Sequence, residues 1–252
     1  MKKDTSWGNV ATWYAEHVAS EDSYHRKVVL PNLTRLMQLK PGVRVLDVAC
    51  GSGYFANEFH AAGADVQGVD ISGELIQIAR THSHKDITFF VAPSHTFPEV
   101  VDVSVDIITI ILAIQNIQDV KETLAECSRV LKPNGRMYIV MNHPVFRIPQ
   151  ASSWEWDEKN KQQYRRIDAY LTEKKVPIAM HPGSDPTEQT VSFHRPLQYY
   201  MKLMGNAGFA VTRLEEWISH RQSEPGPRQK EEDRMRKEIP LFMMLELSKK
   251  AS

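Results

Sequence analysis

The chain has 252 residues, 31 basic and 31 acidic side chains and a hydrophobic fraction of 42%. That length suits one α/β domain with an elaboration, and zero net charge argues against a protein whose main task is to grip a polyanion. Cys50 and Cys127 form no disulfide framework and lack zinc-site spacing. No run approaches the ~20 apolar residues of a membrane helix, and no apolar signal core follows Lys2-Lys3. The expectation is a cytoplasmic protein with no membrane partner.

In chain order, residues 9–39 read as helical, with Trp13, Tyr14, His17 and Val18 spaced for one face. Pro41-Gly42 marks a turn. An alternation follows: strand Arg44–Ala49, helix Tyr54–Ala62, strand Asp65–Val69, helix Gly73–Arg80 and strand Ile87–Val91. It continues with strand Ile107–Leu112, helix Val120–Leu131 and strand Arg136–Met141. Such alternation predicts βαβ units and a parallel sheet covered by helices on both faces. Residues 143–195 show no clean period. Beyond them, helix Leu197–Asn206, strand Phe209–Trp217, a charged stretch over 221–238 and strand Pro240–Ser248 fit a sheet edge closed by an antiparallel hairpin.

The strongest local signal is Leu46-Asp47-Val48-Ala49-Cys50-Gly51-Ser52-Gly53 between a strand and a helix. Glycines there let backbone approach a ligand, and a helix N-terminus favours negative charge. Two cofactors suit it. Gly51-x-Gly53-x-x-Ala56, with Asp70 about 20 residues on, matches the dinucleotide pattern of NAD enzymes. Against this, Asp47 lies inside the strand, where a carboxylate suits the cationic part of an amino acid and repels a pyrophosphate.

Leu46-Asp47-x-x-Cys50-Gly51-x-Gly53 resembles motif I of the class I S-adenosylmethionine-dependent methyltransferases. Gly68-Val69-Asp70-Ile71-Ser72 is similar to their acidic second-strand motif, and Arg129-Val130-Leu131-Lys132-Pro133-x-Gly135 to their turn before strand 5. The three together cover roughly residues 40–145. The resemblance implies a seven-stranded, doubly wound, mostly parallel sheet with an antiparallel C-terminal hairpin. The whole chain, 1–252, reads as one domain: an N-terminal helical cap (1–40), a cofactor-binding core (41–142), a substrate-covering insert (143–195) and the end of the sheet (196–252).

The resemblance also implies the cofactor contacts. Asp47 and the backbone from Ala49 through Gly51 to Gly53 would hold the methionine end of S-adenosylmethionine. Asp70 would accept both ribose hydroxyls, Ile71 would pack on adenine and Ser72 would cap the next helix. The acid usually found after strand 3 is absent, which leaves the Ala92–Ser94 backbone or the Ser94 hydroxyl for adenine. Leu112 would lie under the sulfonium, and Tyr14 would close the pocket. No metal is expected.

For the acceptor, His143 follows strand 5 at the sheet's carboxyl edge, and a histidine pKa near ~6.5 suits a general base. Asn116, Arg147, Trp154, His194 and Arg195 are candidate substrate contacts. The insert's aromatics and arginines suit a planar or anionic acceptor. Its alternative use is packing or a homodimer contact. His82, His84 and His95 read as surface or loop residues. An Asn/Asp-Pro-Pro-aromatic signature and a cysteine nucleophile after strand 4 or 5 are missing, which argues against a nucleic-acid substrate. The expected activity is methyl transfer to a small molecule, with S-adenosylhomocysteine as product. The alternatives are an RNA or protein methyltransferase, a non-catalytic cofactor-binding protein and an NAD-dependent oxidoreductase.

Overall fold

The computed structural model describes residues 7–181 and 185–249. Helix α1 (Ala11–Ala19) is followed by a π-helical turn (His25–Val29) that runs into α2 (Leu30–Met37). The region 9–39 is therefore helical in two stretches, the second taking in the segment from Val28 onward. Ser20 is extended at the end of α1, and Pro31 occupies the first turn of α2, where a missing N–H costs nothing.

The alternating core consists of β1 (Arg44–Val48), α3 (Tyr54–Ala61), β2 (Asp65–Asp70), α4 (Gly73–His82), β3 (Thr88–Val91), β4 (Val105–Ile111), α5 (Val120–Val130) and β5 (Leu131–Asn142). Two hairpins follow, β6 (Ser152–Asp157) with β7 (Gln162–Ile167) and β8 (Lys174–His181) with β9 (Asp185–His194). The chain then forms α6 (Leu197–Asn206), β10 (Phe209–Trp217), α7 (Gln229–Glu238) and β11 (Phe242–Lys249).

The principal sheet has seven strands in the order β10-β11-β5-β4-β1-β2-β3. Strands β1 to β5 pair in parallel, and β11 is antiparallel to both β5 and β10. This is the mostly parallel sheet with an antiparallel C-terminal pair that the sequence predicts.

Period-2 alternation sends each strand's side chains to two separate cores. Leu46, Val48, Ile108, Ile110, Met137 and Ile139 pack with Leu124 and Cys127 of α5 and Tyr200 and Met204 of α6. Val45, Val66, Ile107 and Val140 face the other way, onto Leu33 and Met37 of α2, Phe55 and Phe59 of α3 and Ile76 of α4. Cys127 is a core residue, as its helical position suggests. Ser72 caps α4 by accepting the Leu75 N–H at 3.2 Å.

The strand order reverses direction about β1, whose neighbours are β2 and β4. Crossovers on either side of such a point diverge and leave a crevice beyond the strands' carboxyl ends. No helix among the described residues is long and apolar enough to cross a membrane.

Candidate functional site

A cavity of about 650 Å³ opens at that crevice. Ala49 after β1, Gly51, Asp70 at the end of β2, Ala92 and Ser94 after β3 and Leu112 after β4 all line it. Ala49 and Leu112 have positive φ, 59° and 52°. Residues with a Cβ adopt that conformation at a cost, and such strain concentrates at ligand sites. Sequence alone gives no sign of it.

The glycine loop is held by the acidic strand end. Asp70 Oδ2 accepts the Gly51 N–H and Oδ1 accepts the Ser72 N–H, both at 2.9 Å. Each carboxylate oxygen therefore keeps lone-pair capacity for a further donor. Burial lifts the Asp70 pKa against these opposing backbone hydrogen bonds.

Gly51 (φ 57°) has the Tyr14 ring 3.2 Å from where a Cβ would stand. Gly53 (φ 81°) begins α3. A Cβ on Gly53 would lie 2.8 Å from Ser83 Oγ and 3.0 Å from the Phe89 ring. Left-handed backbone and overpacking both penalise Gly53→Ala. We expect it to destabilise the protein by about 2–3 kcal/mol, read as a lower urea midpoint at unchanged slope.

Asp47 is buried on β1, two residues before Ala49 of the cavity wall, and does not itself line the cavity. It sits opposite Thr109 on β4, whose hydroxyl donates to its Oδ1 at 2.6 Å. Burial raises the Asp47 pKa to about 7, the Thr109 hydrogen bond opposes that rise, and the Asp70 charge adds to it. Thr109, which interrupts the apolar run from Ile107 to Ile111, is the partner Asp47 requires.

Tyr14 lines the cavity from α1, edge-on to Trp7 at 5.3 Å between ring centroids. Burial first, then the charges of Asp70, Asp47 and Cys50, push its phenol pKa well up, so it remains a donor. Its neighbour Trp13 stacks on His17 instead. Ile71 lines the cavity with 51% of its surface exposed. The Ser94 hydroxyl shares a hydrogen bond with Thr123. Asn116 lines the same cavity and donates to the Val191 carbonyl at 2.8 Å, tying the sheet edge to β9. His95, read from sequence as a loop residue, also reaches this wall, with Asp119 3.7 Å away.

A second cavity of about 440 Å³ adjoins the first, with Pro177 and Phe193 shared between them. Arg147, His194 and Arg195 line it, as does Asn142 at the end of β5. The β8–β9 hairpin supplies much of this wall, so residues 143–195 contain two hairpins where the sequence shows no period.

His143 lines neither cavity. Strand parity turns Asn142 toward the space and His143 away from it. His143 is 3% exposed. Its Nε2 faces the Glu216 carboxylate at 2.7 Å and therefore carries the proton, while Nδ1 accepts the Val145 N–H at 3.3 Å. Burial lowers the His143 pKa, and Glu216 opposes this. Both nitrogens are occupied, which leaves no free lone pair for a base.

His194 differs. Its Nε2 approaches the Tyr170 carbonyl at 2.7 Å. A carbonyl only accepts, so Nε2 carries the proton and Nδ1 keeps its lone pair. Trp154 also lies off both cavities. It is a platform for the Arg165 guanidinium, 5.1 Å from its ring centroid, and Arg165 is the wall residue. Elsewhere, His60, His84 and Asp86 bring ligand atoms within 4.8 Å of one another, so His84 does have neighbours of metal-ligand type. The His60 and His84 rings stack face to face at 4.5 Å.

Residues 46–139 match the family model of a methyltransferase domain. That match takes in the glycine loop, the acidic end of β2 and the start of β5. The chain is 36% identical over 107 residues to a demethylmenaquinone methyltransferase of Renibacterium salmoninarum, covering 42% of this chain and 44% of that one. It is 31% identical over 100 residues to a ubiquinone biosynthesis O-methyltransferase of Aromatoleum aromaticum, covering 38% and 43%. The match thus spans under half the length of these curated relatives. An S-adenosylmethionine-dependent methyltransferase from Mesorhizobium loti superposes with a TM-score of 0.68 at 24% identity, over 86% of this chain and 95% of that one. A TehB-like methyltransferase from Corynebacterium glutamicum gives 0.58 at 14% identity, over 97% and 98%. At these identities the structural likeness speaks for the fold.

Proposed function

We propose that the protein transfers a methyl group from S-adenosylmethionine to a small molecule. The observation that carries this reading is the pair of adjoining cavities, one walled by the family's motif residues and the other by the insert. When bound, S-adenosylmethionine supplies a methyl group on a positively charged sulfur and leaves as S-adenosylhomocysteine.

The residues of the larger cavity fit that cofactor. Asp70 has acceptor capacity left on both oxygens after tying Gly51 and Ser72. The bare Gly51 backbone opens space beside Tyr14, and Ile71 offers an exposed apolar face for a planar base. Ser94 and the Ala92 backbone border the place assigned to adenine. Asp47, Ala49, Gly53 and Leu112 belong to the methionine end. A buried carboxylate at Asp47 favours a cation above it, since the cation restores what desolvation removed.

The acceptor occupies the smaller cavity and points its nucleophile toward the shared wall. Catalysis is mainly alignment: holding two reactants in register removes much of the entropic barrier. His194 takes the proton where the acceptor must lose one, through Nδ1. His143 fixes the turn after β5 to β10 through Glu216. We therefore expect His194→Ala to lower acceptor-dependent turnover by about 100-fold and to remove a rate dependence on a single basic group. His143→Ala would instead act mainly on stability.

A size-limited second cavity favours small acceptors, as the quinone-pathway names of the curated relatives also suggest. The test is S-adenosylhomocysteine release over pools of phenols, carboxylic acids and amines. Turnover above the acceptor-free rate supports the proposal. Turnover only with RNA or protein pools overturns it.

A further inference from the structure

The smaller cavity gathers positive charge without acidic compensation. Arg147 lies just after β5, Arg165 on β7 and Arg195 just after β9, and all three line the cavity. Among the described residues none of these guanidinium groups forms an ion pair, although arginines elsewhere do, such as Arg35 with Glu215 and Arg129 with Glu126.

Their existing contacts are neutral. Arg195 is 5% exposed and donates to the carbonyls of Ile117 and Gln118 at 2.8 and 3.0 Å. It lies over the rings of Phe193 and Tyr199, at 4.5 and 5.1 Å from their centroids. Arg165 donates to the Phe146 carbonyl at 2.8 Å and to Ser152 Oγ at 2.7 Å. The Arg147 guanidinium lies 5.8 Å from the Phe242 ring centroid, and no hydrogen bond from it is seen among the described residues. Arg147 nevertheless keeps an exposed surface. In the crowded concavity it occupies, that surface is open to a ligand.

Arg147 and Arg165 also repel each other. Burial lowers the pKa of both, and the Arg147 charge lowers that of Arg165 further. Like charges brought together in a partly desolvated cleft cost free energy unless an anion joins them. A guanidinium fork matches the two oxygens of a carboxylate or phosphate. Gln115 also lines the cavity; its buried Oε1, an acceptor with no hydrogen-bond partner among the described residues, suits a donor group on the bound molecule and not the anion itself.

We propose that the smaller cavity is an oxyanion-binding site, formed by Arg147, Arg165 and Arg195, that selects methyl acceptors bearing a carboxylate or a phosphate group. The role of the anion as part of a methyl acceptor rests on the methyltransferase reading above. The anion site itself rests on the arginine cluster alone.

The test uses benzoate and phenyl phosphate as probes, with benzamide as the neutral isostere, at constant ionic strength. Binding is followed by thermal shift and titration on the full chain with and without S-adenosylhomocysteine. Benzoate or phenyl phosphate should bind at least tenfold more tightly than benzamide, and the stronger of the two identifies the oxyanion. Arg147→Gln should weaken that binding by tenfold or more. Because the Arg147 guanidinium donates no hydrogen bond among the described residues and faces a like charge, this variant should melt no lower than the wild type without anion. Arg147→Lys, which keeps the charge but loses the fork, should fall between the two. Equal binding of benzoate, phenyl phosphate and benzamide, or equal anion affinity in Arg147→Gln, overturns the proposal. Failure of S-adenosylhomocysteine to bind while the anions still do would count against the methyltransferase reading and leave the anion site standing.

Discussion

Asp70→Ala is expected to weaken S-adenosylhomocysteine binding by about 100-fold or more, near 3 kcal/mol. Two losses add in one direction. The ribose loses a charged acceptor, and hydrogen bonds to charged groups are worth ~1.5–3 kcal/mol each. The Gly51 and Ser72 N–H groups also lose their partner, so the glycine loop is no longer held at the cavity wall. Asp70→Asn separates the two effects. Its amide oxygen satisfies one backbone donor, while its NH₂ confronts the other. Asn should therefore keep more stability than Ala while still losing much of the affinity. Titration calorimetry checks the affinity, and urea unfolding checks the loop's share. An affinity within threefold of wild type in Asp70→Ala would remove Asp70 from the cofactor site.

Asp47→Asn should raise the stability of the unliganded protein above neutral pH while weakening ligand binding. The Asp47 pKa stands at about 7 in the folded chain, against 3.8 for the ordinary carboxyl. Between those values the folded state binds more protons than the unfolded one. Stability therefore falls as pH rises through that window, and the full penalty applies above about 7. A shift of this size corresponds to a few kcal/mol at most. The wild type should lose stability between about pH 4 and pH 7 (the window between the two pKa values) more steeply than Asp47→Asn. The carboxamide still accepts the Thr109 hydroxyl through its oxygen.

A cationic amino group bound near Asp47 would lower that pKa again. S-adenosylhomocysteine binding below pH 7 should then release protons, seen as a binding enthalpy that varies with the buffer's ionisation enthalpy. The Asn variant should lose this dependence. Parallel stability curves for the two proteins would show that Asp47 does not titrate in this window.

The core of the fold is legible in the sequence because local and global signals agree there. The buried runs of β1 and β4 and the Gly63 stop after α3 mark boundaries that the parallel sheet then uses, whereas the expected turn Lys132–Gly135 lies inside β5, which begins at Leu131 and shifts register there. The helices α3 to α6 begin at the positions their patterns indicate. The insert is different. In β7, Gln162–Ile167 alternates intermediate and exposed positions, but glutamines and arginines hide the period. In β8, Pro177 demotes an otherwise alternating run, although it pairs with Val191.

The site divides in the same way. Gly51 and Gly53 stand out because only glycine adopts their backbone cheaply, and Asp70 follows at a set distance along the chain. Positive φ at Ala49 and Leu112 leaves no mark on composition. His143 and Asn142 differ by one residue in a strand, and one step reverses the face a side chain occupies. The meeting of Arg147, Arg165 and Arg195 depends on hairpin pairings between distant segments, which no local window contains.

The most direct measurement of cofactor identity is titration calorimetry of the wild-type chain with S-adenosylmethionine, S-adenosylhomocysteine and NAD. The expected result is saturable one-to-one binding of the first two and none of NAD, because a pyrophosphate at the glycine loop meets the buried Asp47 carboxylate. Binding of NAD with no response to either S-adenosyl compound would contradict the assignment of the larger cavity.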